Sequence, residues 1–440
     1  MIRRLRAAGA GLAMFTAVAL TACDSLLEVE NVTYIGAADV RNAPSAALWA
    51  NGVLFAVMSG WDGTLLLLSA ASDELRFAGQ FAYWGELDQG HLDSPNNQGL
   101  NDMFGRFATA QWYSGEAIHV LDSLRQDGSL TDPTPLARVY LYGAVIHTSL
   151  ADVMEDYAPS APNAPGPALG PENMGTYYDL AVQYATAGLA LQPGGDLERD
   201  LLATRARARH AQQVWQRVRP PPTDVSGDGL ISGGDLASDA LAALGADGSD
   251  WRFEFDYPPG IIGSTTAATT NCLSSLRFGD RYAVPTSDGL RAQSVLLRDP
   301  IDDVPDPSLH HVMFEVIHAP GPCPFKTFTV LSAREMHLIV AEDALARADT
   351  ATFASHVNQV RAAEGLTAWT AASGVGARDM LIYERQTRLF LTGRRLADMY
   401  RFGIQSDSWD PSSVAATVPG TLYPIPSSEI EANCVLNGSC

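Results

Sequence analysis

The sequence predicts a mainly α-helical body that is interrupted by one long irregular, partly β insertion. Apolar residues recur at helical spacing through most of the chain, for example at Leu136, Val139 and Ile146. Between residues 220 and 330, by contrast, Thr, Gly and Pro are frequent, and residues 251–257 alternate like a short strand. The 440 residues are enough for one large core or for two or three domains.

Helical patterns define the elements on both sides of this insertion. In chain order they begin near Ser45 and continue at Phe104–Leu124, Leu136–Leu150, Thr176–Leu191, Leu201–Val218, Ser332–Ala348, Thr352–Glu364 and Ala377–Phe402. Residues 77–101 are rich in Gly, Asn, Gln and aromatic residues and are predicted to form a loop. Small residues lie where paired helices would touch, which resembles tetratricopeptide-type stacking without a strict repeat period.

The first 23 residues have the pattern of an export signal. Three arginines precede an apolar run at residues 7–19, which is too short to span a bilayer. The sequence Leu-Thr-Ala-Cys at residues 20–23 then resembles the lipobox of bacterial lipoproteins, in which Cys23 would carry the acyl chains. The alternative is an ordinary secretory signal with a chance cysteine.

These observations divide the chain into consecutive parts. They are a lipoprotein signal peptide at 1–22, a lipidated tether at 23–44, an N-terminal helical part at 45–219, the irregular insertion at 220–330 and a C-terminal helical part at 331–440. No stretch after the signal is expected to approach the roughly 20 apolar residues of a membrane helix.

The charge of the chain limits its partners. The formal net charge is -21, and removal of the three signal arginines would make the mature protein more acidic still. A surface of this sign repels phosphate backbones, so nucleic acid is not expected as a partner.

The remaining cysteines predict disulfide bonds. Cys272, Cys323, Cys434 and Cys440 form an even set in an exported chain, which favours two disulfides. The most economical pairing is Cys272 with Cys323 and Cys434 with Cys440. Two other pairings and free thiols remain open, and zinc is disfavoured because ligand spacing typical of a zinc site is absent from the sequence.

The C-terminal part carries the most specific pattern in the chain. Residues 383–403 read YERQTRLFLTGRRLADMYRFG, and residues 423–433 read YPIPSSEIEAN. Together they closely resemble the SusD/RagB family of nutrient-uptake lipoproteins. The resemblance implies a SusD-like helical fold and an outer-membrane lipoprotein displayed at the cell surface. It also implies a SusC-like TonB-dependent β-barrel transporter as partner, to which a captured glycan or other nutrient oligomer is delivered without catalysis.

Read physically, the same region is structural. Glu384 and Arg388 are four residues apart, as are Arg394 and Asp398, and each pair is expected to meet on one helix face. Glu384 as a general acid would need a second carboxylate at a defined distance, which the sequence does not identify.

A glycine-rich acidic segment matches a calcium-binding loop. Hard Ca²⁺ prefers oxygen ligands from alternate positions of such a loop, with a glycine at the turn, here Gly229. The expected ligands are Asp224, Ser226, Asp228, Leu230 through its carbonyl, Ser232 and Asp235. Ca²⁺ would have a structural role, and the alternative is a solvated acidic loop.

Aromatic and amide residues in or beside the predicted loops are candidates for sugar binding. Aromatic rings offer faces for sugar stacking, and amides or carboxylates bind hydroxyl groups, although large aromatics more often fill a core. The candidates are Trp61, Tyr83, Trp84, Asp88, Gln89, Asn96, Asn97 and Trp112, taken from a wider set that also includes Phe81, Gln98, Tyr113 and Trp251. The sequence therefore predicts a surface-exposed binding lipoprotein. A surface glycoside hydrolase or a non-catalytic helical-repeat interaction scaffold is the alternative.

Overall fold

The computed structural model describes residues 40–161, 164–233, 235–245, 248–318 and 321–440. The predicted signal peptide, Cys23 and most of the predicted tether lie outside the described residues. Residues Ala46–Cys440 form one compact unit. Within the preceding unit, the described residues include a 3-10 turn at Ala43–Ser45, where the Asn42 side chain accepts a hydrogen bond from the Ser45 backbone N–H.

The first part of the compact unit is a succession of packed helices. They are α1 (Ala46–Ala71), α2 (Ala82–Asp88), α3 (Gln98–Gln126), α4 (Thr134–Val153), α5 (Thr176–Ala190), α6 (Gly195–Val218) and α7 (Leu236–Leu244), with a 3-10 turn at Pro171–Asn173. Helix α1 packs on α3 and α4, and α4, α5, α6 and α7 then pack in sequence. This succession confirms the mainly helical class with neighbouring helices in contact.

The predicted insertion contains short strands and short helices joined by loops, and one further strand precedes it in the chain. The strands are β1 (Leu75–Phe77), β2 (Arg252–Asp256), β3 (Leu276–Phe278), β4 (Ala283–Pro285), β5 (Ala292–Val295) and β6 (Thr327–Ser332). They form three antiparallel pairs, β1–β3, β2–β6 and β4–β5. Helices α8 (Thr265–Ala267) and α9 (Pro307–His311) each lead into a π-helical turn, at Ala268–Cys272 and Val312–Val316. The strand predicted at 251–257 is confirmed as β2.

The C-terminal part is helical, but one predicted helix is divided. Its helices are α10 (Ala333–Ala346), α11 (Thr350–Ala363), α12 (Ala377–Arg388), α13 (Arg395–Phe402), α14 (Val414–Thr417), α15 (Ser427–Ala432) and α16 (Cys434–Asn437). The single helix predicted from Ala377 to Phe402 is wrong, because Leu391 and Gly393 have left-handed backbone conformations between α12 and α13. Gly403 ends α13 in the left-handed conformation that suits glycine.

Helix α1 corrects a second expectation. The segment Ala43–Ala71 is apolar and long enough to cross a membrane by composition, which the sequence analysis did not expect after the signal. However, 78% of its apolar window is buried inside the protein. Trp49, Val53 and Leu65 of α1 are among the buried residues. We therefore interpret α1 as a core helix.

Both disulfides have the economical pairing. Cys272 is bonded to Cys323, with a Cα–Cα distance of 5.3 Å, and joins the π-helical turn after α8 to the segment before β6. Cys434 is bonded to Cys440 and closes a loop at the C-terminal end.

A buried network of arginines and carboxylates joins α13 to distant parts of the chain. Arg395 donates to both oxygens of Asp73 at 2.7 Å, and Tyr282 also donates to this carboxylate. Arg394 donates to both oxygens of Glu335 on α10. Because these charges are desolvated, removing one partner of such a pair is expected to cost about 3–5 kcal/mol.

A second part of the network centres on Glu342 of α10. This carboxylate is fully buried and binds Arg401 of α13 and His210 of α6. Burial opposes its ionisation, yet Arg401 and His210 hold the pKa of Glu342 well below its usual range. Glu342 therefore ties α6, α10 and α13 together as a buried anion.

Of the two helical ion pairs predicted in this region, one forms. Glu384 and Arg388 meet at 3.0 Å on α12. The predicted Arg394–Asp398 pair is wrong, because Arg394 lies just before α13 and reaches Glu335 instead. Asp398 is bound by arginines at other positions.

Glu74 is a buried carboxylate that is held by neutral donors. Its oxygens accept hydrogen bonds from the Ser69 hydroxyl at 2.9 Å and from the Leu391 backbone N–H at 2.8 Å. Burial is the main reason that the pKa of Glu74 rises from 4.5 to about 7. Since the folded state binds this proton more tightly than the unfolded chain, the group stabilises the fold below pH 4.5. That contribution is lost as the pH rises through about 7.

We expect Glu74→Gln to be more stable than the natural protein at about pH 8 and to lose this advantage toward about pH 5. The amide keeps an acceptor for Leu391 and a donor for Ser69 but cannot ionise. Thermal unfolding across this pH range measures the effect, with the exposed Glu431→Gln as control. A stability difference that does not change with pH would contradict the assignment.

Candidate functional site

The segment predicted as a loop at 77–101 contains helix α2 and the start of α3. Asn97 caps α3, since its side-chain oxygen accepts a hydrogen bond from the Leu100 backbone N–H at 3.1 Å. Its amide nitrogen donates to the Tyr83 carbonyl and to the Glu86 carboxylate. An N-cap of this kind contributes about 1 kcal/mol, so Asn97 both starts α3 and fixes α2 beside it.

An exposed pair of aromatic rings lies at the start of α2. Phe81 has a left-handed backbone conformation with φ 62°, which is uncommon for a bulky residue, and its side chain is 48% exposed. Its ring stacks on the ring of Tyr83 with centroids 5.7 Å apart. Tyr83 is half-buried and packs in turn against the buried Trp84. We term Phe81 and Tyr83 the aromatic platform.

Polar groups of α3 adjoin this platform. Gln98 donates a hydrogen bond to Asp102 at 2.6 Å, and both side chains are exposed. Burial and the charge of Asp102 raise the pKa of Tyr83. The Tyr83 hydroxyl can act as a hydrogen-bond donor. Gly99 allows the close approach, since a Cβ there would lie 3.1 Å from the Tyr83 ring. An apolar ring surface with adjacent amide, carboxylate and hydroxyl groups is an arrangement that binds polyhydroxylated rings.

The structure separates the predicted ligand residues into two groups. Tyr83 belongs to the platform, and Gln89 and Asn96 are exposed near it in sequence. The other predicted ligand residues are buried in the structure or lie elsewhere on the chain.

Four predicted ligand residues are buried and have structural contacts instead. Trp61 packs edge-on against Phe255, and Trp84 and Asn97 have the contacts described above. Asp88 accepts a hydrogen bond from the Phe77 backbone N–H, and burial raises the pKa of this carboxyl.

Trp112 is half-buried on α3 and stacks on Tyr113. It lies 13 residues beyond Gly99, which corresponds to about 20 Å along the helix axis. Trp112 is therefore separate from the aromatic platform.

The predicted calcium loop packs on the buried arginine network. Arg401 donates to the Gly229 carbonyl at 3.0 Å, and Glu342 accepts a hydrogen bond from the Ile231 backbone N–H. Gly229 has φ 74°, and a Cβ there would lie 2.5 Å from the Arg401 carbonyl oxygen. This glycine is thus required by packing, whether or not the loop binds a metal.

The acidic side chains of this loop do not converge on one point. Asp224 and Asp228 each accept a hydrogen bond from the backbone N–H two residues later. Asp235 lies 3.6 Å from Arg209. Among the described residues, no group of three or more His, Cys, Asp or Glu side chains is placed to hold a metal. The arrangement does not fit Ca²⁺ as it stands, and Ser226, Leu230 and Ser232 remain ligands predicted from sequence alone.

Comparison with known proteins identifies the fold. No family model and no curated protein matches the chain. Solved structures do match, including a SusD homolog from Bacteroides thetaiotaomicron with 12% identity and a TM-score of 0.61, covering 91% of this chain and 98% of the other. A SusD-like protein from Bacteroides fragilis has 13% identity and a TM-score of 0.59, covering 91% and 97%.

A SusD-like carbohydrate binding protein from Bacteroides vulgatus has 12% identity and a TM-score of 0.58, covering 90% of this chain and 98% of the other. Similarity over nearly the full length of each chain shows that this protein has the SusD-like fold.

Calcium binding by the 224–235 loop stays a prediction. Titration with calcium chloride can distinguish a metal-binding role of the loop from its packing role. If the loop closes around Ca²⁺, calcium chloride will raise the unfolding temperature of the natural protein, and Asp224→Asn with Asp228→Asn will abolish the rise. Asp127→Asn is the matched control, because Asp127 accepts the same kind of turn hydrogen bond outside the loop. Gly229→Ala will destabilise the protein with or without calcium. An unfolding temperature that is unaffected by calcium would contradict metal binding.

Proposed function

We propose that this protein is a surface-exposed, lipid-anchored substrate-binding protein of the outer membrane. It captures an oligosaccharide or a similar nutrient oligomer and delivers it to a SusC-like TonB-dependent β-barrel transporter. The observation that carries this proposal is the exposed aromatic platform on a SusD-like scaffold. The solved relative with the same fold that is described as carbohydrate binding supports the class of ligand.

The platform has the physical properties of a sugar-binding surface. Two adjacent rings present an apolar face, while the Tyr83 hydroxyl, Gln98 and Asp102 offer hydrogen-bonding groups at its edge. Phe81 keeps a backbone conformation that costs of order 1–3 kcal/mol. Such strain at an exposed aromatic residue favours a role in binding over a role in folding.

Binding without turnover is the mode of action that fits the carboxylates best. Glu384, the one candidate general acid of the sequence analysis, is fully buried, and its two oxygens face Arg361 and Arg388. Both arginines are fully buried as well, which leaves no place for a sugar between them. We therefore favour a binding protein over the glycoside hydrolase.

The lipid anchor explains how capture and delivery are coupled. Acyl chains on Cys23 would keep the compact unit, which begins at Ala46, near the membrane. The intervening chain spans at most about 80 Å when fully extended, so the effective concentration of the binding unit at a barrel in the same membrane is high.

The platform can be tested with a variant that should become more stable as it loses function. Phe81→Gly removes a ring and relieves the left-handed backbone, so we expect a gain in stability of about 1 kcal/mol. A calorimetric panel of neutral and acidic glycans first identifies one that binds the natural protein. The affinity of Phe81→Gly for that glycan should be at least about tenfold lower, which corresponds to 1.4 kcal/mol. Tyr83→Ala should also weaken binding.

Phe55→Ala is the matched control for this experiment, because Phe55 is a comparably exposed ring on α1. Release of free reducing sugar from the panel would support the glycoside hydrolase instead. Unchanged glycan affinity in both platform variants would exclude the platform as the binding surface.

The anchor gives a second prediction. Mass spectrometry of the protein from its native membrane should find Cys23 as the N-terminal residue with acyl chains attached. Cys23→Ser should release the protein from the membrane fraction, since the anchor depends on the sulfur. An unmodified Cys23, or a natural protein in the cytosol, would contradict the anchoring.

A further inference from the structure

Two adjoining cavities lie beside the β2–β6 pair, away from the aromatic platform. Their volumes are about 320 Å³ and 390 Å³. Five of the described residues line both cavities. They are Arg252 of β2, Thr329 of β6, Phe390, and the neighbouring His311 and Val312, where α9 passes into its π-helical turn. None of the predicted ligand residues lines either cavity.

The first of these cavities is basic although the protein is acidic. Arg252, Arg334 and Arg388 line it, together with His311, and Glu364 is the one acid among its described lining residues. The chain as a whole has a net charge of -21. Carboxylates offset the charges of Arg334 and Arg388, so the pocket would bind an anion through the guanidinium hydrogen-bond donors that it presents more than through its net charge. We term it the basic pocket.

Arg388 supplies an unused donor to the basic pocket. Its Nη1 donates to Asp306 and to the Ser308 hydroxyl, and its Nε lies 3.0 Å from Glu384. Its Nη2 is buried and has no hydrogen-bond partner among the described residues. A buried donor without a partner costs about 1–3 kcal/mol, and an oxygen from a bound molecule would remove that cost.

The other arginines differ in how firmly they are held. Arg334 is fixed by Asp250, at 2.8 and 3.1 Å, and by Glu364. Arg252 is exposed on β2, and its side chain makes no hydrogen bond or ion pair with the described part of the chain. Arg252 is therefore available to close on a molecule in the pocket.

Most hydroxyl groups of the pocket are already committed as donors, including Thr329, which donates to Glu254. Ser332 instead accepts a hydrogen bond from the Glu335 backbone N–H. Thr387 donates to the Tyr383 carbonyl, Thr392 donates to the Leu389 carbonyl, and Ser308 donates to Asp306 or to the Thr387 carbonyl. The donors that remain are mainly cationic side chains. This distribution selects an anionic group over the neutral hydroxyls of a sugar.

We propose that the basic pocket binds the carboxylate or sulfate group of an acidic sugar, whose ring occupies the adjoining cavity. The exposed guanidinium of Arg252 would contact the anion directly, and the unpaired Nη2 of Arg388, which is buried in the pocket wall, would join the contact after a local rearrangement of that wall. The adjoining cavity suits a sugar ring because aromatic side chains line it together with Glu254, Glu315 and Lys326, whose polar groups can bind the ring hydroxyls while the acidic group lies on the arginine side. The proposal rests on the proposed function in one respect, namely that the acidic glycan bound in the pocket is the molecule captured for delivery.

Calorimetry with defined probes tests the pocket. We expect trigalacturonate to bind the natural protein and its methyl ester, which has the same shape without the charge, to bind at least about tenfold more weakly. A sulfated disaccharide is a second probe, which distinguishes a preference for sulfated sugars from a preference for uronates. Inorganic sulfate is a third probe, which distinguishes binding of a sugar from binding of a free anion.

Variants of the exposed arginine locate the binding. Arg252→Gln should weaken binding of the best acidic probe roughly tenfold, and Arg252→Glu should weaken it further by reversing the charge. Arg125→Gln is the control, because Arg125 is an exposed arginine at the end of α3 that is remote in sequence from both cavities. Thermal unfolding of each variant establishes that it is folded.

The outcomes separate this inference from the proposed function. Binding of a neutral glycan that depends on Phe81 and Tyr83, with no preference for charge and no effect of Arg252, overturns the basic pocket and leaves the platform. Binding of the acidic probe that depends on Arg252 but not on the platform supports the pocket and overturns the platform. Failure of every anionic probe to bind overturns the pocket.

Discussion

Buried pairing of arginine with carboxylate is the interaction on which the rest of this structure depends. Every cation of the network is desolvated, so each is stable only while its partner is in place. The partners come from distant parts of the chain: Arg395 binds Asp73 after α1, Arg394 binds Glu335 on α10, and Arg401 binds Glu342 on α10. Arg388 of α12 also binds Asp306 of the insertion, so the network requires the N-terminal helices, the insertion and the C-terminal helices to assemble together.

The sequence predicted the elements of this fold better than the connections between them. Helical periodicity located most helices, and the residues of β2 alternated as a strand does. The division between α12 and α13 was missed because Leu391 is an ordinary apolar residue with a left-handed backbone. The same break explains why the Arg394–Asp398 pair does not form, since spacing of four residues brings side chains together only within one continuous helix.

The candidate site shows a similar limit. The aromatic and amide composition of residues 77–101 indicated a segment that does carry an exposed ring, Phe81, but it did not reveal which rings face solvent. Asn97 was interpreted as a sugar ligand, whereas it caps α3, because the same amide serves both purposes. Phe81 was one of several aromatic residues considered, and the sequence did not rank it above the others because neither its positive φ nor its exposure is visible in a residue type. The basic pocket was missed for a related reason: Arg252, Arg334 and Arg388 are far apart in sequence.

In the proposed pocket, Arg388 would serve both the structural network and the binding of an anion. Its pairing with Asp306 and Glu384 fixes the guanidinium, so that Nη2 is held in place without help from any ligand. A preorganised donor loses little conformational freedom on binding, and this favours affinity for an anion. The anionic partners of Arg388 also keep the site from being strongly cationic while it is empty. An acidic sugar would then be held by geometry more than by net charge, which suits a protein that must release its cargo.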